Sequence, residues 1–96
     1  MHDLFSIYTK VRRLVKTALK QCLVNGQNLR FYPNPPKMSD VEILALSITA
    51  ECLSIDSEHL LWSKIKKDYI KQFPNLIHRS WFNARRKGLE DWLIYI

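Results

Sequence analysis

The 96-residue sequence has no CxxC pair, and its histidines, His2, His59 and His78, stand at no metal-ligand spacing from one another or from Cys22 and Cys52. That excludes a zinc finger or a similar ligand set, and no cofactor is expected. The two cysteines fall in apolar helical registers, so they are expected as small core residues in a reducing compartment. No long uncharged apolar run is present. Lys10, Arg12, Arg13, Lys16 and Lys20 interrupt the N-terminal segment, which argues against a signal peptide and a membrane span. A cytoplasmic chain is expected. Acidic residues are few, nine against fifteen Lys and Arg. No second acidic cluster stands opposite Glu42 or Glu51, so neither is expected to be a catalytic acid. A stop signal is also missing at the C-terminus. Trp92-Leu93-Ile94-Tyr95-Ile96 has no cap, glycine or polar tail. It reads as a chain cut in mid-helix, before something that would cover Ile94 and Tyr95.

What is present points to one folded unit. Ninety-six residues and 47% hydrophobic content suit a single domain with one modest core. The net charge of +6 is unevenly spread. Residues 1–36 carry six Lys/Arg against Asp3. Residues 37–63 carry Lys37 against Asp40, Glu42, Glu51, Asp56 and Glu58. Residues 64–96 carry eight Lys/Arg against three acids. Basic ends around an acidic middle favour an anionic partner at defined surfaces.

Hydrophobic spacing predicts an all-α fold, a small four-helix domain over residues 1–96. Residues 1–24 read as a basic amphipathic helix, with Leu4, Tyr8, Val11, Val15 and Cys22 on one side and Asn25-Gly26 as its stop. Residues 25–38 form a loop with Pro33, Pro35 and Pro36, a strap or a linker. Residues 39–96 form the helical core. Ser39-Asp40-Val41-Glu42 is a capping box. The helix behind it is apolar on nearly every side, so it should be surrounded by the others. Asp56 and Ser57 offer the next cap. That helix runs to about Gln72, with Lys64, Lys67 and Lys71 on its outer face. A connection of about four residues, Pro74 to Ile77, leads to His78, the cap of the last helix.

The last helix has two faces. Phe82, Leu89, Leu93 and Ile96 fall on one side, with Trp81 and Trp92 beside them. Arg79, Asn83, Arg86 and Lys87 fall on another, at i, i+4, i+7 and i+8. Such a face is often simply solvated. Here it holds three cations and an amide, with Glu90 the nearest acid a turn further on. Arg and Asn suit guanine and adenine edges, because each makes two hydrogen bonds to one base. Paired with the preceding helix, this is a helix-turn-helix-like layout. Lys64, Lys67 and Lys71 would contact phosphates, and the last helix would lie nearer the bases. Arg85, at the margin of the apolar face, would stack on an indole ring or reach a phosphate.

The ordered set Pro36-Lys37-Met38-Ser39-Asp40-Val41-Glu42-Ile43, Ile55-Asp56-Ser57-Glu58, Phe73-Pro74 and His78-Arg79-Ser80-Trp81-Phe82-Asn83-Ala84-Arg85-Arg86-Lys87 resembles the N-terminal region of bacterial insertion-sequence transposases, the group numbered nine-eight-two. The resemblance covers the chain from about residue 30. It implies a helical region preceding an RNase-H-like catalytic domain, whose DDE-type acids hold divalent metal. None of the acids here matches those, so no catalytic residue carries over and metal belongs only to that other domain. The resemblance implies binding of double-stranded DNA at the element's terminal repeats, with the family's basic helix matched at Arg79, Phe82, Asn83, Arg85 and Arg86. Ala84 stands where the family often has another basic residue. The expected chain therefore binds DNA and catalyses nothing, in the bacterial cytoplasm and on the nucleoid when bound. Two other readings stand beside it. One is an interaction module that assembles with itself or with full-length transposase. The other is a small transcriptional regulator.

Overall fold

A computed structural model describes residues 3–34 and 36–95, for Tyr95 the backbone alone. Expectations placed on His2, Pro35, the Tyr95 side chain and Ile96 lie outside the described residues. The chain forms four α-helices, α1 (Leu4–Ala18), α2 (Asp40–Cys52), α3 (Glu58–Asp68) and α4 (Arg79–Leu89), followed by a 3₁₀ helix over Glu90–Tyr95. No strand occurs among the described residues, and the fold is all-α. Among the described residues, no helix is long and apolar enough to cross a membrane.

α2 is the centre. Its capping box is complete. Ser39 Oγ accepts from the Glu42 N–H at 3.2 Å, and Glu42 Oε1 accepts from the Ser39 N–H at 2.9 Å. Two orphan donors of the first turn are thereby satisfied. Val41, Ile43, Leu44, Ala45 and Leu46 are all buried, so nearly the whole circumference of the helix faces protein. α1 and α4 pack against it, and α3 packs on α4. Leu4, Tyr8, Val11 and Val15 of α1, Leu61, Trp62 and Ile65 of α3, and Phe82 and Leu89 of α4 complete the core. The Trp62 and Phe82 rings meet at 4.6 Å, and the Trp62 indole N–H donates to the Ile77 carbonyl at 3.0 Å.

Helix ends depart from the sequence reading. α1 stops at Ala18, not at Val24. The Lys20 N–H turns to the Thr17 carbonyl and the Cys22 N–H to the Leu19 carbonyl, each three residues back, so the helix gives way to turns before Asn25-Gly26 is reached. Gly26, at φ +79°, instead makes the following bend, where Asn25 Oδ1 accepts from the N–H groups of Gln27 and Asn28. This places Cys22 in an exposed turn. Cys52 is exposed too, at the last position of α2, so neither cysteine is the core residue expected. α2 ends with Ser54 in the left-handed region, φ 57°, and the Ile55 N–H returns to the Ala50 carbonyl at 2.9 Å. α3 ends at Asp68, not near Gln72. Ten residues, 69–78, therefore separate it from α4 where about four were expected.

The proline-containing loop is a strap. Its anchor is the Asp40 carboxylate, 0% exposed. Asp40 Oδ2 accepts from the Leu29 N–H at 2.9 Å, and Oδ1 accepts from the Tyr32 hydroxyl at 2.8 Å. The Asp40 N–H in turn donates to Asn28 Oδ1 at 2.9 Å. Burial, and then the adjoining carboxylate, raise the Tyr32 phenol above its ordinary pKa.

Candidate nucleic-acid interface

α4 begins at His78, whose Nδ1 accepts from the Ser80 N–H at 3.2 Å. At about 100° per residue, Phe82 and Leu89 define the buried line of this helix. Arg85 and Arg86 flank that line by about 50° on either side. Both are half-buried, and both find acids brought by other elements.

Arg85, expected on an indole ring or at a phosphate, is engaged by other protein groups. Its Nη2 donates to Asp40 Oδ1 at 2.8 Å, and its Nη1 donates to the Met38 carbonyl. Its guanidinium lies 5.9 Å from the centroid of the Tyr32 ring, a phenol rather than an indole. Arg85 therefore fastens α4 to the strap and to the start of α2.

Arg86 is also turned inward, at 27% side-chain exposure. Its Nη2 donates to Glu58 Oε1 of α3 at 2.9 Å and to Asn83 Oδ1 at 3.0 Å, while Nη1 reaches Glu90 Oε1 at 3.3 Å. The expected face of Arg79, Asn83, Arg86 and Lys87 is thus divided. Arg79 and Lys87 are exposed, whereas Asn83 and Arg86 bond each other and Arg86 is held by two carboxylates. A cavity of about 200 Å³ beside Arg86 is also lined by Glu51, Asp56 and Glu58. Those carboxylates disfavour a phosphate there.

The outward line of α4 runs instead through Ser80, Ala84, Lys87 and Gly88, all exposed. Trp81 stands on its flank, 68% exposed, rather than packed beside Phe82. Position 81 lies about 90° from the buried line, an angle that the sequence contained but that its hydrophobicity obscured. On α3, Leu61, Trp62 and Ile65 are buried, and Lys64 and Lys67 are exposed, as is Lys71 in the turn beyond. Among the described residues, none of these lysines meets a carboxylate within 4 Å, nor does Arg79 or Lys87. Compared with protein-family models, with curated protein sequences and with solved structures, the chain matches none.

Proposed function

We propose that this chain binds double-stranded DNA as the N-terminal region of an insertion-sequence transposase, recognising the element's terminal repeats and leaving strand cleavage to a separate metal-dependent domain. One observation carries the reading. Among the described residues, Arg85 and Arg86 are the only Lys or Arg side chains within 4 Å of a carboxylate. An ordinary solvated surface interleaves acids with its cations for stability. Cations that meet no carboxylate, Lys64, Lys67, Lys71, Arg79 and Lys87 among them, are suited to displacing counterions from a polyanion.

The division of labour differs from one in which α4 reads bases through a row of Arg and Asn. Arg79, Lys87 and Trp81 are the groups of α4 available to DNA, with Lys64, Lys67 and Lys71 as phosphate contacts from the α3 side. Ser80, Ala84 and Gly88 let the helix axis come close to a groove wall. In this reading α3 and α4 act as a helix-turn-helix-like pair with a lengthened connection. Arg86 holds the pair together through Glu58, and Arg85 holds α4 to the start of α2.

The test is fluorescence anisotropy on terminal-repeat and scrambled duplexes, from about 50 to 200 mM salt. Arg79→Ala with Lys87→Ala should flatten the log–log salt slope by about 2, and Arg86→Ala should flatten it less. Absence of binding at the lower salt would sink the proposal. A second reading, an interaction module for a further copy or for full-length transposase, draws on Ile94, 79% exposed, and on Trp81. A stable dimer without DNA affinity would select it.

A further inference from the structure

Away from α4, a cavity of about 220 Å³ lies between α1, the start of α2 and the turn after Phe73. Its lining includes Phe5, Tyr8, Arg12, Glu42, Phe73 and Asn75. Tyr8 is 4% exposed, and its buried hydroxyl, with Arg12 and Glu42 close by, makes no hydrogen bond of ordinary geometry among the described residues. Buried polar groups are nearly always paired, so an orphan hydroxyl in the wall of a hollow needs an explanation. The volume is about seven times the ~30 Å³ share of one water, so a single bridging water does not fill it.

The rest of the lining restricts what can. Three aromatic rings stand together, Tyr8 and Phe73 at 4.8 Å, Phe5 and Phe73 at 5.8 Å, and Phe5 and Tyr8 at 6.3 Å. Phe5 is only half-buried. Arg12 is exposed, its guanidinium 6.0 Å from the Tyr8 ring centroid. Glu42 keeps one oxygen on the Ser39 N–H and has lone pairs to spare. A purely apolar ligand would leave the Tyr8 hydroxyl and Glu42 unmet. A simple anion would face Glu42, and a simple cation would face Arg12. The wall suits a flat body with apolar faces, a donor–acceptor edge and an attached negative charge.

We infer that this hollow binds one unpaired nucleotide, its base against the Phe5–Tyr8–Phe73 wall, its edge on the Tyr8 hydroxyl and Glu42, and its phosphate at Arg12. Aromatic walls with polar edges are how proteins hold unstacked bases. The inference rests on the DNA-binding reading and adds the form of DNA recognised, a duplex with a frayed or overhanging end. Exposed Lys10 and Arg13 on the same helix would meet the strand beyond.

Two measurements test it. In the first, deoxyadenosine monophosphate is titrated into the intact chain and followed by amide NMR. Saturable shifts are expected at residues 5–12 and 72–76. Tyr8→Phe, which removes only the orphan hydroxyl, should weaken binding about 5-fold, one hydrogen bond's worth. No saturable shift there, the same shifts from inorganic phosphate alone, or unchanged affinity in Tyr8→Phe would each overturn the inference. The second compares a blunt duplex with one bearing a single-nucleotide overhang. The overhang should bind tighter on the order of tenfold, from one stacked base. Equal binding to both duplexes overturns the pocket and leaves the DNA reading standing. Binding to neither, with nucleotide shifts retained, overturns the DNA reading and keeps the pocket.

Discussion

The Asp40 junction and the Tyr8 hollow are both places where a polar side chain lies buried, and they are built in contrary ways. At Asp40 every neighbour contributes a donor. The strap gives the Leu29 N–H and the Tyr32 hydroxyl, and α4 gives the Arg85 guanidinium. At Tyr8 the hydroxyl makes no hydrogen bond of ordinary geometry among the described residues, although Arg12 and Glu42 lie close to it. A saturated polar cluster fixes where elements sit relative to one another, because any shift leaves a buried charge unmet. An unsaturated one does no such fixing. It leaves hydrogen-bonding capacity in the fold at a cost of about 1–3 kcal/mol.

Asp40→Ala tests the saturated side and should have the largest effect. It leaves the Arg85 guanidinium half-buried with only the Met38 carbonyl, and it frees the strap. A loss of about 3–5 kcal/mol is expected in urea denaturation. Adding Arg85→Met should recover much of it, since the uncompensated charge is gone. A loss within about 1 kcal/mol would mean that the junction is ornamental rather than structural. Ser39→Ala, next to the junction, removes one half of the capping box and should cost about 1 kcal/mol.

The smallest effect belongs to the unsaturated side. Tyr8→Phe should be neutral or slightly stabilising at pH 7, because no bond is lost. The difference should appear only in alkali. Burial, and then the Glu42 charge, hold the Tyr8 phenol above its ordinary pKa, with Arg12 opposing them. The unfolded chain therefore releases this proton first. Above about pH 10 the unfolded state binds fewer protons than the fold, so stability falls as pH rises. Below that value Tyr8 contributes no slope. The urea midpoint of the native chain should fall above about pH 10, and Tyr8→Phe should flatten the fall. Identical alkaline profiles for the two would show that the hydroxyl is not held in a buried site.

Much of the frame was legible in the sequence because it is encoded locally. The Ser39–Glu42 capping box, the Ser57 and His78 caps and the all-round apolarity of α2 each depend on residues within a few positions. Helix stops were less legible. α1 gives way to turns closed by the Lys20 and Cys22 N–H groups, while the apolar period runs on to Cys22. The exposure of Arg79 and Lys87 was legible, but the inward turn of Arg85 and Arg86 was not. Spacing gives the angle of Arg86 about the helix axis, but Glu58 comes from another helix and Asp40 lies 45 positions before Arg85. Both arginines sit at the edge of the buried face, where such distant acids decide whether a cation points in or out. Trp81 was misplaced for a related reason. Its hydrophobicity suggested the core, while its angle set it aside.

The 45-residue span between Asp40 and Arg85 also has a meaning in time. A ribosome adding about 5–20 residues per second delivers Arg85 roughly 2–9 s after Asp40. For that interval the strap and α2 exist without the guanidinium that clasps them. Until its fourth helix is made, the nascent chain has the Leu29 N–H and the Tyr32 hydroxyl for this carboxylate but not its charged partner.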